Sequence, residues 1–168
     1  MILGIDPGSI TTGFGLITEE KGEMRCVEYG SWGATSKTIF TERLLFIGLG
    51  LQEIFLKYKI RAAVVEKTFF AKNVDSVTKL SHARGVCIYE AARARVPIFE
   101  YSPTEVKRNV VGYGRAGKDQ VQLVIGQLLK LPTDVMTKYD MSDALALAIY
   151  HCRVAGTKQK IKEREILL

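Results

Sequence analysis

Four acidic residues sit at the ends of apolar stretches, where a carboxylate has chemistry within reach. Asp6 closes the run Ile2-Leu3-Gly4-Ile5, Glu66 closes the run Ala62 to Val65, and Asp140 and Asp143 come just before Ala144 to Ile149. Short apolar runs read as buried strands, and carboxylates at i and i+3 share one face of a helix. Asp6, Asp140 and Asp143 also have an ordinary reading. Asp before Pro-Gly is common turn chemistry, and acids in a first helical turn are favoured by the macrodipole. Their joint reading is different. Four converging carboxylates repel one another and cannot all stay ionised without a cation. Two divalent ions about 3.5 to 4 Å apart would satisfy such a cluster and are known machinery for in-line cleavage of phosphodiesters. Oxygen-only ligands suit Mg²⁺ or Mn²⁺ and argue against zinc.

Positioning these acids requires a particular set of elements. Pro7 and Gly8 force a turn after Asp6, and a Thr-rich strand from Thr12 to Thr18 completes a hairpin with Asp6 at its lip. A third strand from Arg25 to Trp32 extends it into an antiparallel meander. The period then changes: Phe40, Leu44, Ile47, Leu51, Ile54 and Tyr58 line one face of a helix from Thr38 to about Lys59. Gly48 and Gly50 weaken that helix, which predicts close packing against the sheet. Ala62 to Glu66 shows no alternation, as expected of a strand covered on both faces.

A second long helix is predicted from Val74 to Arg95, where Gly85 and several alanines would admit another helix, internal or across a two-fold axis. A fifth strand from Pro97 to Tyr101 follows, then a helix opened by Ser102, Pro103 and Glu105 and broken near Gly112. Lys118 to Lys130 is amphipathic, and a closing helix runs from Tyr139 to about Arg153, with the tail from Ala155 onward expected to fray. In a mixed sheet the first strand would lie beside the fourth, so Asp6 and Glu66 share an edge. The closing helix can then bring Asp140 and Asp143 to them.

Two connections add candidates for binding. The loop after Glu66 carries Phe69, Phe70 and Lys72; the rings could be core, or one could stack on a nucleic-acid base. Residues 112–118, GYGRAGK, contain GxxxxGK, but Asp119 stands where a phosphate-binding P-loop needs Ser or Thr, and the segment follows a helix. A basic loop contacting phosphates through Arg115 and Lys118 is the functional reading, and a plain surface loop the alternative. His82 reads as a surface or interface residue.

Bulk properties agree with an ordinary globule that carries excess positive charge. The 168 residues suffice for one domain, with 47% hydrophobic and 25% charged content. A net charge of +6 favours a polyanionic partner, nucleic acid ahead of a membrane surface. Cys26, Cys87 and Cys152 form neither a disulfide framework nor a CxxC motif and are expected to be reduced thiols. With no membrane-spanning run and no signal-peptide pattern, the expected location is cytoplasmic.

The stretches GIDPGSITTGFGL, VVEKTFFAKNVDSVTKLSHARGV, VKRNVVGYGRAGKDQVQ and DMSDALALAIYHC, in this order, closely resemble the RuvC family of Holliday junction resolvases. That resemblance implies an α/β, RNase H-like fold: a five-stranded mixed sheet, meander plus parallel strands, flanked by helices in one nuclease domain over residues 1–168. It implies a homodimer that nicks two strands of like polarity in four-way junction DNA, leaving 5′-phosphate and 3′-hydroxyl ends, and that works beside a branch-migration motor complex. The family's acidic tetrad falls on Asp6, Glu66, Asp140 and Asp143, which would hold two Mg²⁺, with Mn²⁺ as substitute. Its base-contacting phenylalanine matches Phe69 and its functional lysines match Lys107 and Lys118; Lys72 and Arg115 are neighbouring basic residues expected to meet DNA. Some members carry His where this chain has Asp140. The competing readings are a related RNase H-fold nuclease acting on RNA and an actin-like phosphotransferase, whose ATP-cradling hairpin GIDPGSITTGFG also resembles; the latter needs a second domain for which 168 residues leave no room.

Overall fold

A computed structural model describes residues 1–33, 35, 37–67, 73–132 and 139–165, with side chains described as far as Gly156. Three strands, β1 (Ile2–Asp6), β2 (Thr11–Glu20) and β3 (Glu23–Gly33), form the expected antiparallel meander. Lys21 and Gly22, both at positive φ (53° and 84°), make the two-residue turn that matches the twist of β2 and β3. Helix α1 (Phe40–Lys57) leads to β4 (Ala62–Glu66), and α2 (Val74–Arg93) leads to β5 (Ile98–Tyr101). Both of these strands run parallel to their neighbours, giving the order β3-β2-β1-β4-β5. Helices α3 (Pro103–Val111), α4 (Lys118–Leu129) and α5 (Tyr139–Glu165) complete the described chain. None of the helices is long and apolar enough to cross a membrane, among the residues described.

The sheet divides the core in two. Leu3, Ile5, Phe14, Leu16 and Val65 point toward α1 and α2, where they meet Ile47, Leu51, Ala83 and Cys87. On the other face, Ile2, Ile17, Ala62 and Val64 meet α3, α4 and α5 through Val106, Val121, Ile125 and Leu145 to Ile149. Ala62 to Val65 are buried throughout, as the uninterrupted apolar pattern of β4 requires. Cys26, Cys87 and Cys152 are free thiols.

The two helix glycines of α1 serve different neighbours. Gly50 lies directly against the indole of Trp32, which stacks on Phe14 with ring centroids 4.3 Å apart, so the sheet explains this one. Gly48 faces Val86 and Glu90 of α2 instead. The closing helix differs from expectation at its end, since α5 continues past Arg153 to Glu165. No apolar stripe marks residues 154–165, and periodicity therefore could not extend the helix there.

Candidate active site

Strand pairing brings the first two acids together. β1 and β4 run parallel in the register Ile2↔Ala62 to Ile5↔Val65, so one further step sets Asp6 beside Glu66. Alternation puts both on the face shared with Ile2, Gly4, Ala62 and Val64, the face that α5 covers. Beyond Asp6 the chain turns at Pro7 and Gly8; the Gly8 amide donates to the Thr12 hydroxyl at 3.3 Å, and Arg43 from α1 donates to the Ser9 carbonyl at 3.2 Å. The lip of the hairpin is thus held from both sides.

Glycines determine how near the last helix comes. Asp6 pairs with Gly13 and Gly4 with Gly15 across β1 and β2. A Cβ at Gly13 would land on the backbone of Asp140, one at Gly4 on the carbonyl of Ala144, and one at Gly15 on the side chain of Leu145. Helix α5 therefore lies on a bare strip of backbone, and its first turn reaches Asp6. Within that turn the buried Ser142 hydroxyl donates to the Tyr139 carbonyl at 2.8 Å.

The charges of the other three acids converge on Asp6. The Asp6 carboxyl is raised well above the ordinary carboxylate range, by burial first and then by the charges of Glu66, Asp143 and Asp140. Glu66 is pushed up to about 7 by burial and by Asp143, against the opposing pull of Lys107 and Lys118. Burial also raises Asp143, with Asp140 adding to the rise and Lys118 and Lys107 countering it. Two ammonium groups cannot neutralise four carboxylates, so an excess of negative charge remains in a partly buried place. Among the described residues no three His, Cys, Asp or Glu side chains already close around one point. All the donors are carboxylate oxygens, a set that fits a hard divalent cation, and the raised Asp6 and Glu66 mark the charge such a cation would offset.

The lysines arrive on two separate helices. Ser102 caps α3 by accepting from the Glu105 amide at 3.3 Å, while Glu105 accepts from the Ser102 amide at 3.0 Å, with Pro103 at the start. Lys107 from this helix lines a narrow crevice with Glu66, Asp143 and Val121. Gly112, at φ 86°, ends α3, and the Gly117 amide donates to Gln120 as α4 begins at Lys118. GYGRAGK is thus a helix-to-helix connection, which excludes the strand-loop-helix of a P-loop. Arg115 is exposed in it, and the basic charges acting on the acids are those of Lys107 and Lys118. Phe69 and Lys72 lie outside the described residues.

Three participants escaped the reading of the sequence: Gly13, Tyr139 and Asp119. Alternate glycines on one strand face, Gly13 and Gly15 opposite Asp6 and Gly4, were a usable sign of close helix packing. The Tyr139 hydroxyl donates to Asp119 at 2.7 Å, a link across 20 positions of chain that no local pattern announces.

Comparison with known proteins identifies the chain's relatives. The family model described as Crossover junction endodeoxyribonuclease RuvC matches residues 2–151. The RuvC of Geobacter sp. (strain M21) is 44% identical over 162 residues, covering 96% of this chain and 98% of that protein. The RuvC of Klebsiella pneumoniae subsp. pneumoniae is 40% identical over 168 residues, 100% of this chain and 95% of the relative. Among solved structures, T. thermophilus RuvC in complex with Holliday junction substrate superposes with a TM-score of 0.83 at 28% identity, covering 92% of this chain and 93% of the other. The yeast mitochondrial Holliday junction resolvase, at 13% identity and a TM-score of 0.62 over 89% of this chain and 76% of its own, shares the fold.

Proposed function

This chain belongs to the RuvC family of crossover junction endodeoxyribonucleases, and on that premise we propose that it resolves four-way DNA junctions by paired, symmetric nicks. Its fold is RNase H-like. The observation that carries the mechanism is the convergence of Glu66, Asp140 and Asp143 on Asp6 at the meeting point of β1, β4 and α5, with Lys107 and Lys118 acting on the same cluster. The four acids would hold two Mg²⁺, which supply an activated water and neutralise charge on the departing 3′-oxygen.

The chain's own groups account for the rest. Asp6 and Glu66 are half-buried and their negative charge is disfavoured, so a cation meeting them would restore the ionised form in a partly screened place. Lys107 and Lys118 each present a compact ammonium suited to phosphate oxygens beside the scissile bond. Such contacts position DNA and discriminate little among sequences; Phe69 would supply a base contact. Paired cutting requires two clusters, hence a homodimer, and a branch-migration motor is the further partner implied by the family. Residues 1–168 would act as one nuclease domain in the cytoplasm.

The deciding assay offers a synthetic four-way junction, with duplex, hairpin and RNA controls, first in Mg²⁺ and then in Ca²⁺. Symmetric nicks ending in 5′-phosphate are expected on the junction in Mg²⁺, with Mn²⁺ substituting, and binding without cutting in Ca²⁺. Cutting that requires ATP, a preference for RNA, or an intact junction in Mg²⁺ would overturn the proposal.

A further inference from the structure

Lys118 faces the acid cluster from an exposed position on the first turn of α4. A long exposed lysine samples many rotamers, so a defined direction needs something to hold it. Its Nζ lies over the ring of Tyr139, 5.5 Å from the centroid, within the range of cation–π attraction. The residue is itself held at two points, one on the ring and one on the backbone. Its hydroxyl donates to Asp119, the residue after Lys118, at 2.7 Å, and its backbone carbonyl accepts from the buried Ser142 hydroxyl at 2.8 Å. Tyr139 is 41% exposed, so burial alone does not account for its placement. One side chain thereby ties the start of α4 to the start of α5 and offers its face to the ammonium.

We propose that Tyr139, anchored by Asp119, is a positioning residue that keeps the Lys118 ammonium directed at the acid cluster and so at the phosphate being cut. The inference rests on the reading of Lys118 as a phosphate-neutralising group. It acts on the rate of cleavage and leaves the hold on the junction unchanged, because Tyr139 orients a charge that is present either way.

The test compares single-turnover cleavage in Mg²⁺ with junction affinity in Ca²⁺, using the full chain. Tyr139→Ala should slow cleavage roughly two- to fivefold, the factor a partly exposed cation–π contact is worth, with affinity and melting temperature unchanged. Tyr139→Phe keeps the face and loses the anchor, and should fall between the two. Asp119→Asn retains an acceptor oxygen and should stay near the parent rate, whereas Asp119→Ala should resemble Tyr139→Phe. In a Lys118→Ala background, Tyr139→Ala should slow cleavage no further. Independent slowing in that background, or a loss seen only in affinity or melting temperature, would overturn the inference while leaving the role of Lys118 standing. Should Lys118→Ala by itself leave the rate intact, both fall together.

Discussion

Glu66 holds its proton up to about pH 7, where an ordinary glutamate releases it near 4.5, because burial and Asp143 oppose its charge. A carboxyl that binds its proton more tightly folded than unfolded takes stability away as the pH rises. Below about 4.5 both states are protonated and nothing is lost; above about 7 the folded chain carries the whole cost, on the order of 3 kcal/mol. Without divalent cations the melting temperature should therefore fall between pH 4.5 and 7, and addition of Mg²⁺ at pH 7 should restore it. Asp143→Asn removes the largest charge acting on Glu66, so that variant should melt higher than the parent at pH 7 in a chelator. It should also lose cleavage, with junction affinity equal or tighter, since a group repelling phosphate has gone. A stability that rises across that interval, or a variant that loses junction binding, would make Asp143 a structural residue.

Among the elements, the contact of α5 with β1 and β2 sets the distance at which all this happens. Gly13→Ala is the most direct way to disturb it, because the new methyl would meet the Asp140 backbone, which cannot yield as a side chain tip could. The expected cost is about 1 to 3 kcal/mol of stability, read as a lower urea midpoint, with cleavage reduced beyond what the unfolded fraction explains. Gly85→Ala, in protein dilute enough to be monomeric, is the control: no atom of the described residues lies within 4 Å of the added one, so it should leave the midpoint unchanged or raise it. Much of this arrangement was legible beforehand, since Asp6 and Glu66 ended apolar runs, Asp140 and Asp143 shared a helical face, and Ser102-Pro103-Thr104-Glu105 spelled its cap. Apolar period reports which face of an element is buried and says little about what it is buried against. The strip of Gly4, Gly13 and Gly15 beneath α5, the division of Gly48 and Gly50 between a helix and a strand, and the Tyr139–Asp119 link all depend on that second fact. The far part of α5 was missed for another reason, as residues 154–165 carry no apolar stripe to read.

At the scale of the molecule, two nicks placed symmetrically need two cutting sites, and the acids described here form a single cluster in one chain. The proposed homodimer needs a face left open by the fold, and α2 presents one. Ser81, His82, Gly85 and Tyr89 are all exposed along one side of it, and among the described residues no atom outside the helix's own neighbouring backbone comes within 4 Å of a Cβ placed at Gly85. Among the described residues nothing uses the close approach that this glycine permits, and a second copy of α2 is the partner to test there. Gly85→Leu turns this into a measurement. Within one chain the leucine's Cβ meets no described residue and the side chain favours the helix, so the melting temperature of dilute protein should hold or rise. Across a two-fold contact it would wedge the helices apart. Light scattering should then report a mass near 18.7 kDa for the variant and about twice that for the parent. On a four-way junction the variant should release singly nicked intermediates that the parent does not accumulate. A variant that keeps the larger mass and still cuts both strands in concert would place the two-fold axis on some other face of the protein.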